Sequence, residues 1–131
     1  SPKQSDGYWR VGIQSPFNTL GNLLAFVTVK DQSVVTSGIY ERTLKVGNKA
    51  YHHILDSKTG YPIENDLASV TIVSDFSIDG EIWTTLVFAK NAKEGIHWLN
   101  QIEGIEGVII SKHGEVFATN NLKNRIAFVK Q

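Results

Sequence analysis

Two histidines stand together in Tyr51-His52-His53-Ile54-Leu55-Asp56, and Ser57-Lys58-Thr59-Gly60-Tyr61-Pro62 follows directly. Neighbouring residues of an extended chain point to opposite faces, so one histidine faces a core or cleft and the other faces away. An imidazole at a strand end beside a glycine-containing loop is placed for proton transfer near neutral pH. The plainer reading is a hairpin edge carrying two surface histidines. Adjacent strand residues diverge, so the pair by itself does not make a typical zinc site.

A second constellation is Asp79-Gly80-Glu81-Ile82-Trp83-Thr84-Thr85. Glu81 and Thr85 stand four apart, which puts a carboxylate and a hydroxyl on one helix face. An oxygen-only pair suits a hard cation such as magnesium. The competing reading is that Asp79 and Glu81 only complement the dipole of a helix N-terminus. A third constellation is Ser37-Gly38-Ile39-Tyr40-Glu41-Arg42, where Gly38 permits close backbone approach and Ser37, Glu41 and Arg42 offer polar contacts. Taken alone, that segment is a turn between strands.

The elements around these residues follow from periodicity. Strands are predicted over Tyr8–Gln14, Leu23–Val29, Val34–Ser37, Glu41–Val46, Lys49–Leu55 and Ala68–Ser74. Gly47-Asn48 reads as a tight hairpin turn. Asp56–Asp66 is rich in turn residues and reads as a loop. Ile78, Ile82, Leu86 and Ala89 then recur at helical spacing, with Ser77 as the expected cap. Ala92–Gln101 reads as a second helix. Glu106–Ser111 and Val116–Thr119 form an expected hairpin around His113-Gly114, and Ile126–Val129 is a last short strand. Trp98 and Phe117 read as core. Strands, two helices, then strands predict an α+β fold, a largely antiparallel sheet with the helices on one face.

The 131 residues suit one domain, with residues 1–7 expected to be a disordered or cloning-derived leader and 8–131 the folded portion. Lys plus Arg number 13, as do Asp plus Glu, and a balanced charge argues against nucleic acid as the main partner. There is no cysteine, which removes disulfides, thiolate catalysis and zinc–thiolate sites. No apolar run approaches the eighteen or so residues of a membrane-spanning helix.

In order, these segments resemble the C-terminal half of the FAD:protein FMN transferases, the ApbE-like family. The resemblance rests on Trp9–Gln14, on Ser37–Arg42, on His53–Gly60 as a His-Ile-Leu-Asp-Pro-x-Thr-Gly-type motif, and on Glu81–Thr85. Ser57 stands where the family usually has proline, and Glu81 where aspartate is commoner. The extra methylene of Glu81 moves its carboxylate by about a bond length. The family's N-terminal half, which supplies much of its flavin pocket, is not among these residues.

The resemblance implies magnesium-dependent transfer of FMN from FAD to a threonine or serine hydroxyl of an acceptor flavoprotein, with release of AMP. It implies His53 as the proton acceptor and Glu81 and Thr85 as magnesium ligands. Ser37, Glu41, His53, Ile54 and Thr59 would lie along the FAD, with Gly60 shaping the loop above it. It also implies an extracytoplasmic, lipid-anchored setting at the cell membrane, although no anchor or signal is visible in this sequence. Two other readings remain at this point: a non-catalytic FAD- or metal-binding module, and an FAD pyrophosphatase giving FMN and AMP. A purely structural or interaction domain is a third. The chain alone is expected to fold without catalysing, for want of the remaining walls.

Overall fold

A computed structural model describes residues 7–17, 22–38, 43–46, 49–52 and 65–129, and for 43–46 and 49–52 the backbone alone. Its strands are β1 (Trp9–Gln14), β2 (Leu23–Val29), β3 (Ser33–Gly38), β4 (Thr43–Val46), β5 (Lys49–His52) and β6 (Leu67–Ser74). Helices α1 (Ser77–Val87) and α2 (Ala92–Leu99) follow, then β7 (Glu106–Ser111), β8 (Val116–Ala118) and β9 (Ile126–Phe128).

The strands assemble into a four-stranded sheet ordered β3-β6-β7-β8, a three-stranded sheet ordered β1-β2-β9, and the β4-β5 hairpin. Every pairing is antiparallel. Helix α1 lies on β3 and β6, and α2 on β7 and β8. The α+β expectation therefore holds, with both helices on the four-stranded sheet.

Strand β6 is buried along its whole length, and β7 nearly so. The reason is that the sheet is covered on both faces, which removes the usual alternation of apolar and polar residues. Ile72 and Ile109 join Val87, Phe88 and Leu99 in a core beneath the helices. Their neighbours Val73 and Ile110 join Ile13, Val27, Val29 and Leu122 in a second core against the three-stranded sheet. That second layer is an addition to the picture drawn from periodicity, which assigned helices to one face and left the other open.

The segment entering β6 is pinned at several points. Asn65 donates to the Phe88 carbonyl at the end of α1, and its Oδ1 accepts from the Leu67 amide at 3.1 Å. Asp66 Oδ1 accepts from the Ala92 amide at 2.8 Å and so caps α2 from outside its own segment. Trp83 and Trp98 meet edge-to-face across the two helices, with centroids 4.8 Å apart. No helix among the described residues is long and apolar enough to cross a membrane.

Helix α1 departs from expectation in two ways. Its N-cap is Phe76, with no side-chain cap bond; Ser77 is the first helical residue instead. The buried residues are Gly80, Thr84 and Val87, whereas Ile78, Ile82 and Leu86 are exposed. Small residues face the sheet because the helix axis comes very close to β3. A Cβ built on Gly80 would lie 2.6 Å from Val35 Cγ2 and 2.8 Å from Val35 Cβ.

Candidate functional site

Strand register decides which residues can meet α1. Ser37 pairs with Val70 and Val35 with Ile72, on the face that α1 covers; Thr36 and Gly38 fall on the opposite face. Ser37 is 6% exposed, and its hydroxyl donates to Thr84 Oγ1 at 3.3 Å. Thr84, fully buried, passes the chain of bonds on by donating to the Glu81 carbonyl at 3.1 Å. One turn outward, Thr85 Oγ1 also donates to the Glu81 carbonyl, at 3.0 Å.

Ser37, Glu81 and Thr85 are thus brought to one place, through a residue that motif spacing did not single out. Thr84 is the link, and no residue type or spacing marks it before its partner is known. His53, Glu41, Ile54, Thr59 and Gly60 lie outside the described residues, as does the Gly47-Asn48 turn. His52 closes β5, where it pairs with Thr43.

The Ser37–Thr84 bond fixes the helix to the strand. Thr84→Val keeps the shape but leaves the buried Ser37 hydroxyl without that partner, which costs about 1–3 kcal/mol. Thr84→Ser retains the hydroxyl and is expected to recover most of the loss. Urea unfolding of the three proteins reads this, and equal midpoints for wild type and Thr84→Val would show that the bond contributes nothing.

The donor set on α1 fits a hard cation. Glu81 is exposed, and among the described residues its carboxylate has no ion-pair partner. Thr85 Oγ1 donates to the Glu81 carbonyl, and a hydroxyl oxygen is of the hard-donor type. Two such ligands leave most of a magnesium ion's six positions to water and to phosphate oxygens. No trio of His, Asp or Glu converges anywhere among the described residues, so a cage made wholly of protein carboxylates and imidazoles is not what they form. One surface groove framed by described residues, of about 540 Å³, is lined by Asp66, Asn91, Lys93, Glu94, Glu115 and Phe117.

Fold and geometry together define a mixed α+β domain in which the helix carrying Glu81 and Thr85 is held through Thr84 to a strand bearing the buried Ser37. Residues 1–109 match the profile of the ApbE family, and the chain belongs to that family. A FAD:protein FMN transferase of Klebsiella pneumoniae is 40% identical over 121 residues, covering 92% of this chain and 38% of that protein. One from Escherichia coli K12 is 32% identical, covering 85% of this chain and 31% of that protein. The crystal structure of the ApbE protein of Thermotoga maritima matches with a TM-score of 0.75 at 27% identity, covering 90% of this chain and 38% of that one. The chain therefore spans well under half the length of these relatives.

Proposed function

We propose that this chain supplies part of the active site of a flavin transferase, which moves FMN from FAD to a threonine or serine hydroxyl of an acceptor flavoprotein. The observation that carries the reading is the Ser37–Thr84–Glu81 chain of hydrogen bonds. It unites two segments that this reading sets against the same nucleotide. In the reaction the acceptor's hydroxyl oxygen attacks the FMN-side phosphorus of FAD. A new P–O bond forms, the bond to the AMP phosphate breaks, and AMP leaves. Bound magnesium would neutralise charge on the diphosphate.

The chain's own residues divide the remaining work. Glu81 and Thr85 would hold the cation, and the clamp through Thr84 sets their position relative to β3. His53 would accept the proton of the attacking hydroxyl. Ser37, Glu41, Ile54 and Thr59 would lie along the FAD. Positioning of this kind is worth several kcal/mol in phosphoryl transfer, roughly 7–11 in the best-oriented intramolecular cases.

The test uses a family-length protein containing this chain, supplied with FAD, magnesium and an acceptor protein. Covalent flavin is expected on the acceptor, seen as in-gel fluorescence. Calorimetry on the same protein should show little magnesium binding alone and clear binding with FAD present. Glu81→Ala is expected to abolish that magnesium-dependent step. Unchanged magnesium-dependent FAD binding in Glu81→Ala would reduce Glu81 to a complement of the helix dipole.

A further inference from the structure

Asn65 and Asp66, which lead into β6, differ only in an amide nitrogen against a carboxylate oxygen, and each has the atom its partners require. Asn65 Oδ1 accepts from the Leu67 amide at 3.1 Å and closes a turn of its own backbone. That bond orients the side chain, whose Nδ2 donates to the Phe88 carbonyl. One partner is an N–H and the other a carbonyl, so chemistry alone settles which way the amide points. Asp66 has only to accept, from the Ala92 amide at 2.8 Å, and a carboxylate serves. Phe88 is the C-cap of α1, where the carbonyls of the last turn need partners from outside the helix. Its own amide donates to the Thr84 carbonyl at 3.1 Å, and Thr84 Oγ1 accepts from Ser37 at 3.3 Å. Helix α1 is therefore fastened to the sheet at two points one turn apart, to β3 through Thr84 and to the entrance of β6 through Phe88.

We propose that Asn65 is a positioning residue for the transfer reaction, an assignment that rests on the flavin-transfer reading above: its amide fixes the axis of the helix that carries Glu81 and Thr85. A helix held at one point pivots about it. A second hold four residues along, about 6 Å at 1.5 Å per residue, removes the pivot. Glu81 lies three residues to the other side of Thr84, about 4.5 Å along the axis, so a swing of the Phe88 end carries Glu81 by about three-quarters as much. The tie also has a sequence consequence. His53 and Thr59 precede Asn65 in the stretch between β5 and β6, and Asn65 is the point where that stretch continues into a residue bonded to α1. Aspartate at position 65 would keep the Leu67 bond and set a carboxylate oxygen against the Phe88 carbonyl, two acceptors with no proton between them. If Asn65 served only its own turn, aspartate would replace it without loss, because both residues close such turns.

The experiment follows single-turnover labelling of the acceptor in a family-length protein containing this chain, with urea midpoints recorded beside the rate constants. Lost stability alone lowers the midpoint and leaves the rate constant of the folded molecules unchanged. Asn65→Asp is expected to lower the rate constant about tenfold or more. Asn65→Ala, which removes both bonds but sets no charge against Phe88, is expected to lower it less, by severalfold. If Asn65→Asp does not fold, the rate constant of Asn65→Ala decides. Asp66→Ala, which uncaps α2 and leaves the Phe88 bond in place, is expected to lower the midpoint and keep the wild-type rate constant. A wild-type rate constant in folded Asn65→Asp overturns the proposal. Equal slowing in Asp66→Ala also overturns it, in favour of general loosening. A wild-type protein that labels no acceptor overturns the flavin-transfer reading and this proposal with it.

Discussion

Replacing His53 with alanine is expected to slow flavin transfer by about a hundredfold or more, the usual loss when an acid–base group is removed. His52→Ala is expected to leave the rate close to wild type. The contrast follows from strand alternation: neighbours in an extended segment serve opposite faces, so only one of the pair can reach a given site. In the sequence His53 follows β5 directly and precedes Thr59-Gly60. An imidazole there has the intrinsic pKa range needed to take a proton from an attacking hydroxyl near neutral pH. The measurement is the single-turnover rate of acceptor labelling in a family-length protein, with thermal midpoints of both variants recorded beside it. Equal losses for the two substitutions at equal stability would remove His53 from the assignment. A loss confined to His52→Ala would move the role to the other histidine.

Much of the architecture was legible because strands declare themselves by local pattern. Leu23–Val29 and Glu106–Ser111 have the same bounds in sequence and structure; β1, β3, β6, β8 and β9 differ by one residue at one or both ends, and parts of the expected Glu41–Val46 and Lys49–Leu55 lie outside the described residues. What periodicity could not supply was the direction in which α1 faces. Ile78, Ile82 and Leu86 define an apolar stripe, and a stripe ordinarily marks the buried side. In the structure that side belongs to Gly80 and Thr84, because close approach to Val35 selects against bulk there. A helix that buries small residues and exposes an apolar row has two candidate core faces, and a sequence pattern shows only the more hydrophobic. The same limit hid the second layer. The uncharged, β-prone run Leu67–Ser74 is consistent with burial on both faces, yet does not say whether helix or sheet provides each cover. Ser37, Glu81 and Thr85 were singled out by residue type and motif order, and the structure links their segments by hydrogen bonds. Thr84 was not, since a threonine inside a helix reads as an ordinary surface or core residue until its partner is known.

Gly80→Ala offers the sharpest test of that close approach, because two effects of opposite sign compete. In an exposed helix interior the change from glycine to alanine stabilises by about 1 kcal/mol. Here the new Cβ would stand 2.6 Å from Val35 Cγ2 and 2.8 Å from Val35 Cβ, inside the range that real contacts adopt. Val35 is β-branched and stiff about χ1, so it has little freedom to turn away. Overpacking of this kind costs typically about 1–3 kcal/mol, enough to outweigh the propensity gain. The expected result is a net loss of stability, with α1 pushed off β3. That displacement stretches the 3.3 Å bond from Ser37 to Thr84 and moves Glu81 and Thr85 relative to the strand. Because a misplacement of about 1 Å can cost on the order of a hundredfold in rate, transfer should fall further than stability alone would explain. Compensation separates packing from other causes. Val35→Ala removes the 2.6 Å contact but leaves the 2.8 Å one, so it should rescue Gly80→Ala only in part, and Val35→Gly more fully. The signature is a favourable coupling energy in the double-mutant cycle, accompanied by recovery of magnesium-dependent labelling. A Gly80→Ala protein more stable than wild type would show that helix and strand are not in contact at this point, and the clamp would then have to be sought elsewhere on α1.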